Sequence, residues 1–488
     1  MNIKSILTTL LVGIHFITFS QVSILEKTVT DIAKNASFSN AIVAVAVYDS
    51  KTGEKLYSLN DNFSIATAST TKLFSTAAAI SILGDKQLET RFYIDGEVKD
   101  SVLYGNIWIR GGGDPSLGSK YTTSSTVGNR DFLKEWSDSI KAKGIIKIRG
   151  AIITDASEFG YKGCPDGWSW SDIGNAYGAY PSGLSIFDNV LTFRMRTGGL
   201  GVPARVVSIT PEVPGLKFHN YITSADVAGD NSYIYGAPFQ NERIGIGTLQ
   251  KATTITIRGS LPNPEFQVAY EFRNTLQEAG ITITDSVICA RDLLFDNKLD
   301  KNRYSQFSLL FTYNGATISQ IINWTNLHSV NMFAEQLTCL LGYYKNGDGS
   351  HENGMKQERA FWNNAIPSTG LFLMDGSGLS RSNALSVRHL CSLLNFMYKS
   401  PSFDAFYSSL PVTGESGTLS HICKNQTAHG KIHAKSGTMR RIKSYAGYAR
   451  TNSGRELSFA IVLNNYNCSN YQAQLYTQKI MNVLVTLP

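Results

Sequence analysis

The chain has 488 residues, too many for one ordinary hydrophobic core, and its 42% apolar and 17% charged content excludes a disordered polymer. A net charge of +7 is scattered without basic runs, which argues against nucleic acid as a partner; such a balance suits an anionic polymer. With 42 Gly against 13 Pro, and with 23 Tyr and 24 Phe, much β-structure and many tight turns are expected.

In chain order, Lys4 precedes an apolar run from Ile6 to Phe19, and Thr18-Phe19-Ser20 sets small residues ahead of Gln21. This predicts a signal peptide over residues 1–20, and the run is short for a membrane span. No later stretch reaches transmembrane length, so an exported protein with no stable membrane span is expected. A helix over Ser23–Ala33, a buried strand over Ala41–Tyr48 and a turn at Asp49–Gly53 follow. A second strand then leads to Ala68-Ser69-Thr70-Thr71-Lys72, where a hydroxyl cluster enters an apolar helix. From about Leu88 to Arg291, period-2 runs such as Ile107-Trp108-Ile109 and Thr254-Ile255-Thr256-Ile257 alternate with glycine-rich turns. Helical periodicity returns from Ile318, through Val330–Leu341 and Val387–Tyr398. Strands follow around Tyr445–Tyr448 and Leu457–Val462, and an amphipathic helix over Tyr471–Leu487. Its only charge is Lys479, which favours packing on a sheet over lying on a membrane. The coarse picture is one α/β domain split by a large β-rich insertion. The six cysteines (Cys164, Cys289, Cys339, Cys391, Cys423, Cys468) show no C-x-x-C spacing, so no zinc site is expected and no disulfide pairing is chosen.

Ser69-x-x-Lys72 is the sole S-x-x-K in the chain. Its spacing puts a hydroxyl and an amine on one helical face. As a nucleophile Ser69 needs a base, and a lysine serves only if burial beside a second cation lowers its pKa. Ser329-Val330-Asn331 at the start of a helical stretch and Lys435-Ser436-Gly437-Thr438, expected to open a strand, supply partners. Each triplet alone reads as readily as a helix cap or a strand-entry turn. Lys51-Thr52-Gly53 matches the third pattern too, but inside a hairpin turn with no companions.

The ordered set S-x-x-K, S-x-N and K-S-G resembles the penicillin-binding protein and serine β-lactamase superfamily. The long interval between Ser69 and Ser329 resembles the low-molecular-mass D-alanyl-D-alanine carboxypeptidases of the S13 peptidase family. Further similar segments are Gly111-Gly112-Gly113-Asp114-Pro115-Ser116-Leu117, Trp168–Asp172, Asp188-Asn189, Asp375–Arg381 and Leu410–Leu419. Two positions depart from the pattern: Val330 stands where Asp or Asn is common, and Ser436 where Thr is common.

The resemblance implies an α/β (α+β) catalytic domain of the serine β-lactamase/transpeptidase type, an antiparallel sheet flanked by helices. It would comprise residues 21–90 and 300–488, interrupted by inserted domain II (91–190 and 258–299) and inserted domain III (191–257), both β-rich. It implies Ser69 as nucleophile, Lys72 as base, and Ser329 with Lys435 as a proton relay to the leaving D-alanine. Asn331 would hold Lys72 and the substrate amide. The N–H groups of Ser69 and Thr438 would form the oxyanion hole, and Ser436, Gly437 and Thr438 would line the site of the terminal carboxylate. Asp172, Arg381, Thr438 and Met439 would meet a zwitterionic diaminopimelate side chain. The implied partners are peptidoglycan stem peptides and β-lactams as acylating inhibitors, in the periplasm or outside the cell, with no cofactor or metal. DD-endopeptidase activity is implied as a companion activity. A β-lactamase-like hydrolase, a non-catalytic penicillin- or wall-binding protein and a β-rich adhesin are the alternatives.

Overall fold

The computed structural model describes residues 23–122 and 129–488; the expected signal peptide lies outside them. The chain forms two compact units. The first joins the described residues up to Gly84 with Ile322–Val330 and Glu358–Pro488, and the second comprises Asp85–Ile321 and Asn331–Gln357.

The first unit is built on a five-stranded antiparallel sheet in the order Ile432–Met439, Ile442–Arg450, Glu456–Asn464, Ile42–Asp49, Lys55–Leu59. Helices cover both faces, so the central strands read as nearly continuous apolar runs. In Ile42–Asp49, Val43, Val45 and Val47 join a cluster with the helix at residues 23–33 and the helix Asn470–Leu484. On the opposite face Ala46 presents its carbonyl to Cys391 of the helix Val387–Tyr398, and Tyr448 donates its hydroxyl to Leu394 O there. Each fully buried Val or Leu contributes about 1.5–3 kcal/mol. The last helix starts at a capping box, with the Ser469 side chain on the Gln472 N–H, and buries Ala473, Ile480, Met481 and Leu484 against the sheet, as its lack of charge predicts. It stops at Leu484, three residues short of the expected end.

The second unit holds a five-stranded mixed sheet, a four-stranded sheet and two three-stranded sheets. Strands dominate from Gln87 to Ser260, but Asp131–Ala142 and Pro264–Glu278 are helices that the β-dominated reading did not place. Phe132, Leu133, Trp136 and Ile140 recur at helical spacing and bury one face. Trp136 meets Phe92 and Phe272 edge to face, so the two helices and the mixed sheet share one core. The Gly111–Leu117 and Asp188-Asn189 segments are structural here. The Asp114 carboxylate accepts from Ser116 N and Oγ, and Asp188 accepts from Ser119 Oγ. All six cysteines are free thiols.

Candidate active site

Ser69 lies in a 3-10 turn, Ala68–Thr71, and Lys72 is the first residue of the α-helix Lys72–Leu83. The nucleophile candidate therefore precedes the α-helix instead of opening it. In 3-10 geometry residues three apart eclipse one another, which brings both side chains to one edge. Lys72 is fully buried, and its Nζ donates to Ser69 Oγ at 2.9 Å and to Ser377 O at 2.7 Å.

The turn is clamped from two sides. Ser444 Oγ donates to Thr67 O at 2.6 Å, and Thr70 Oγ1 donates to the same carbonyl at 2.9 Å. On the other side lies the Asp375–Ser380 loop. The buried Asp375 carboxylate accepts from Gly378 N, Ser380 N and Asn383 Nδ2, and Ser75 Oγ donates to Gly376 O. Between them Ala68 is held at φ +50°, a left-handed conformation that a non-glycine residue keeps only where its surroundings impose it.

The third motif does not open its strand. Lys435, Ser436, Gly437 and Thr438 occupy the second half of Ile432–Met439, the edge strand of the sheet, and Met439 ends it. The segment 411–413 covers the outer side of this strand only as far as Ala434, whose N–H donates to Pro411 O. The fully buried Lys435 donates through Nζ to Ser329 Oγ and to Ser436 O, both at 2.9 Å. Burial, and secondly the nearby charge of Lys72, hold its ammonium well below the usual lysine range. A buried ammonium with a second cation near it is costly to keep charged, the condition under which an amine becomes a base. Ser329 sits at φ +60° between the helices Ile318–His328 and Asn331–Asn346. Ser436 Oγ donates to Thr418 Oγ1 at 2.8 Å. Lys51 is exposed in the turn between two strands, away from any of these contacts.

Asn331 and Asp172 belong to the second unit. There the Tyr177 hydroxyl donates to Asp172 Oδ1 at 3.1 Å, and Asn331 Nδ2 donates to Tyr177 O at 2.7 Å. Burial, and then the carboxylate of Asp172, raise the Tyr177 pKa. Arg381 belongs to the first unit, where it is exposed and enters no ion pair among the described residues. Sequence reasoning gave no role to Ser377, Thr418, Ser444 or Tyr177. Ser377 and Thr418 fall in segments it singled out, but nothing in a linear pattern says that a carbonyl of one receives Lys72 or that a hydroxyl of the other receives Ser436.

The family model of the D-Ala-D-Ala carboxypeptidase 3 (S13) family matches residues 25–486. A D-alanyl-D-alanine carboxypeptidase of an Actinomadura species is 28% identical over 471 residues, covering 91% of this chain and 81% of that one. The structure of penicillin binding protein 4 from Haemophilus influenzae superimposes with a TM-score of 0.78 at 20% identity, over 95% of this chain and 98% of that one. A structure of that protein complexed with a β-lactam superimposes with a TM-score of 0.71 at 18% identity, over the same shares of the two chains. A predatory endopeptidase of Bdellovibrio bacteriovorus superimposes with a TM-score of 0.50 at 16% identity, over 92% and 93% of the two chains. A family match across nearly the whole chain, and a mixed α/β fold shared with penicillin binding protein 4, place the protein: the chain belongs to the D-Ala-D-Ala carboxypeptidase 3 (S13) family of serine peptidases.

Proposed function

We propose that the protein removes the terminal D-alanine of peptidoglycan stem peptides through an acyl-enzyme on Ser69. The observation that carries this reading is the 2.9 Å contact between Ser69 Oγ and the Nζ of the buried Lys72. Lys72 takes the Ser69 proton as Oγ attacks the carbonyl of the penultimate D-alanine. The tetrahedral oxyanion is received by the N–H groups of Ser69 and Thr438, each such donor being worth about 3 kcal/mol in acyl-transfer sites. Collapse breaks the peptide bond, and the proton reaches the departing amine through Ser329 and Lys435, which are already hydrogen-bonded. Water then hydrolyses the ester and restores Ser69. Ser436 and Thr438, with Gly437 between them, hold the substrate's terminal carboxylate. The roles of Asn331, on Lys72 and the substrate amide, and of Asp172, Arg381 and Met439, on a diaminopimelate side chain, rest on the resemblance.

The β-lactam complex of the Haemophilus protein supports penicillin as an acylating inhibitor here. The endopeptidase from Bdellovibrio supports a second activity on cross-links at the same serine. Work on the cell wall accords with export to the periplasm, and among the described residues no helix is long and apolar enough to cross a membrane. The test is labelling with a fluorescent penicillin followed by identification of the modified residue. A stable adduct on Ser69, absent from Ser69→Ala, is expected; a label on another serine overturns the mechanism.

A further inference from the structure

Lys443 stands in the strand next to the edge strand, directly opposite Thr438 in the antiparallel register. Only 8% of it is exposed. Its Nζ lies over the Tyr445 ring, 5.7 Å from the centroid, a contact that offers no formal counter-charge. Among the described residues its hydrogen-bond acceptors are Thr438 Oγ1 at 3.0 Å and Gln474 Oε1 at 3.5 Å, both neutral, and it enters no ion pair. A nearly buried cation without a counter-charge is costly, and the cost falls when an anion arrives.

An ammonium only donates, whereas a hydroxyl has one proton and two lone pairs. Thr438 Oγ1 therefore accepts from Lys443, and its own proton is left to point elsewhere. Thr438 is itself exposed at the end of the open edge. Hydroxyls alone would meet an incoming carboxylate without neutralising it, and Lys435 is already engaged by Ser329 and Ser436.

We propose that Lys443 is a positioning and specificity residue: it supplies the counter-charge for the substrate's C-terminal carboxylate and orients the Thr438 hydroxyl as the donor to it. The ligand class is a peptide or β-lactam bearing a free carboxylate. The proposal rests on the assignment of Ser69 as nucleophile and Thr438 as carboxylate contact.

The experiment compares Lys443→Met, Lys443→Arg and wild type on a blocked peptide ending in D-Ala-D-Ala and on its C-terminal amide. Ser69 acylation by penicillin and by its methyl ester is followed in parallel. Lys443→Met keeps the stem and is expected to lower kcat/KM for the free acid by on the order of 10- to 100-fold, the range of a charge-assisted hydrogen bond. Amide and ester should change by less than about 3-fold, and Lys443→Arg should restore most of the loss. In the Lys443→Met background, Thr438→Val should add little, because the two act as one unit. Equal loss on acid and amide, or no loss on either, overturns the role of Lys443 while leaving acylation of Ser69 in place. Failure of wild type to acylate at Ser69 overturns both.

Discussion

Gly437 and Ser69 are packed so closely that a Cβ on the glycine would lie 2.9 Å from the Ser69 backbone nitrogen, 2.7 Å from Thr67 O and 2.2 Å from Ser444 Oγ. The edge strand reaches the nucleophile's turn only because this position has no side chain. Gly437→Ala is expected to force strand and turn apart, costing about 1–3 kcal/mol as overpacking does. Because the shift separates the two proposed oxyanion donors, acylation by penicillin should slow by roughly 100-fold or more. Stopped-flow acylation and thermal unfolding check both; unchanged acylation at a lowered Tm would separate packing from catalysis.

Lys435 and Lys51 occupy the same sequence pattern in opposite environments. Lys435→Ala should cost on the order of 100-fold in turnover, since it removes the proposed proton-relay group from a preorganised site. Lys51→Ala should stay within a few-fold, its side chain being solvated. Steady-state kinetics on one peptide rank the two, and the reverse order would refute the assignment.

The lowered pKa of Lys435 has a sign that stability measurements can read. Between its folded value and the unfolded value of about 10.5, the unfolded chain binds more protons, so stability rises with pH. The burial penalty is complete below the folded pKa and absent above the unfolded one. Lys435→Met removes this contribution. Its Tm advantage over wild type should therefore be larger near neutral pH than near pH 10, shrinking as pH is raised; a gap independent of pH would show that Lys435 is not depressed in the folded protein.

Asp375 accepts from Gly378 N, Ser380 N and Asn383 Nδ2; Asn383 Nδ2 keeps a second acceptor in Ser380 O, but the two backbone N–H groups are paired by Asp375. Asp375→Ala strands them in a buried loop, at a cost on the order of 3 kcal/mol. The same loop carries the carbonyl that holds Lys72, so acylation should fall alongside stability. Urea unfolding and penicillin labelling at a temperature where the variant is folded test the two effects separately.

Asp172 is expected to act on substrate choice. Asp172→Ala should weaken kcat/KM for peptides with a free diaminopimelate end while sparing a simple D-Ala-D-Ala peptide. Equal loss on both would assign it a folding role through Tyr177, and no loss on either would remove it from recognition.

The elements with strong periodicity were legible in the sequence. Val387–Tyr398 appears with its expected bounds, and the alternating valines and alanines of Ile42–Asp49 announce a strand covered on both faces. The helix Asp131–Ala142 was hidden by the β-rich texture around it, although its own apolar spacing is helical. The three motifs were legible as short strings because each depends on local spacing along one element.

What the sequence by itself determined is therefore the order and identity of the reactive groups: a serine, two lysines and the hydroxyls beside them. Tertiary structure alone decided their distances and electrostatics. Lys72 and Lys435 are far apart in the chain, and only the fold buries them near each other, where desolvation and mutual repulsion depress the Lys435 ammonium. Likewise nothing in a linear string says that Ser377 O receives Lys72 or that Lys443 stands behind Thr438. Such contacts arise from strand pairing and loop packing between distant segments, and a pattern of residue types read along the chain carries no information about which of them will face each other across a sheet.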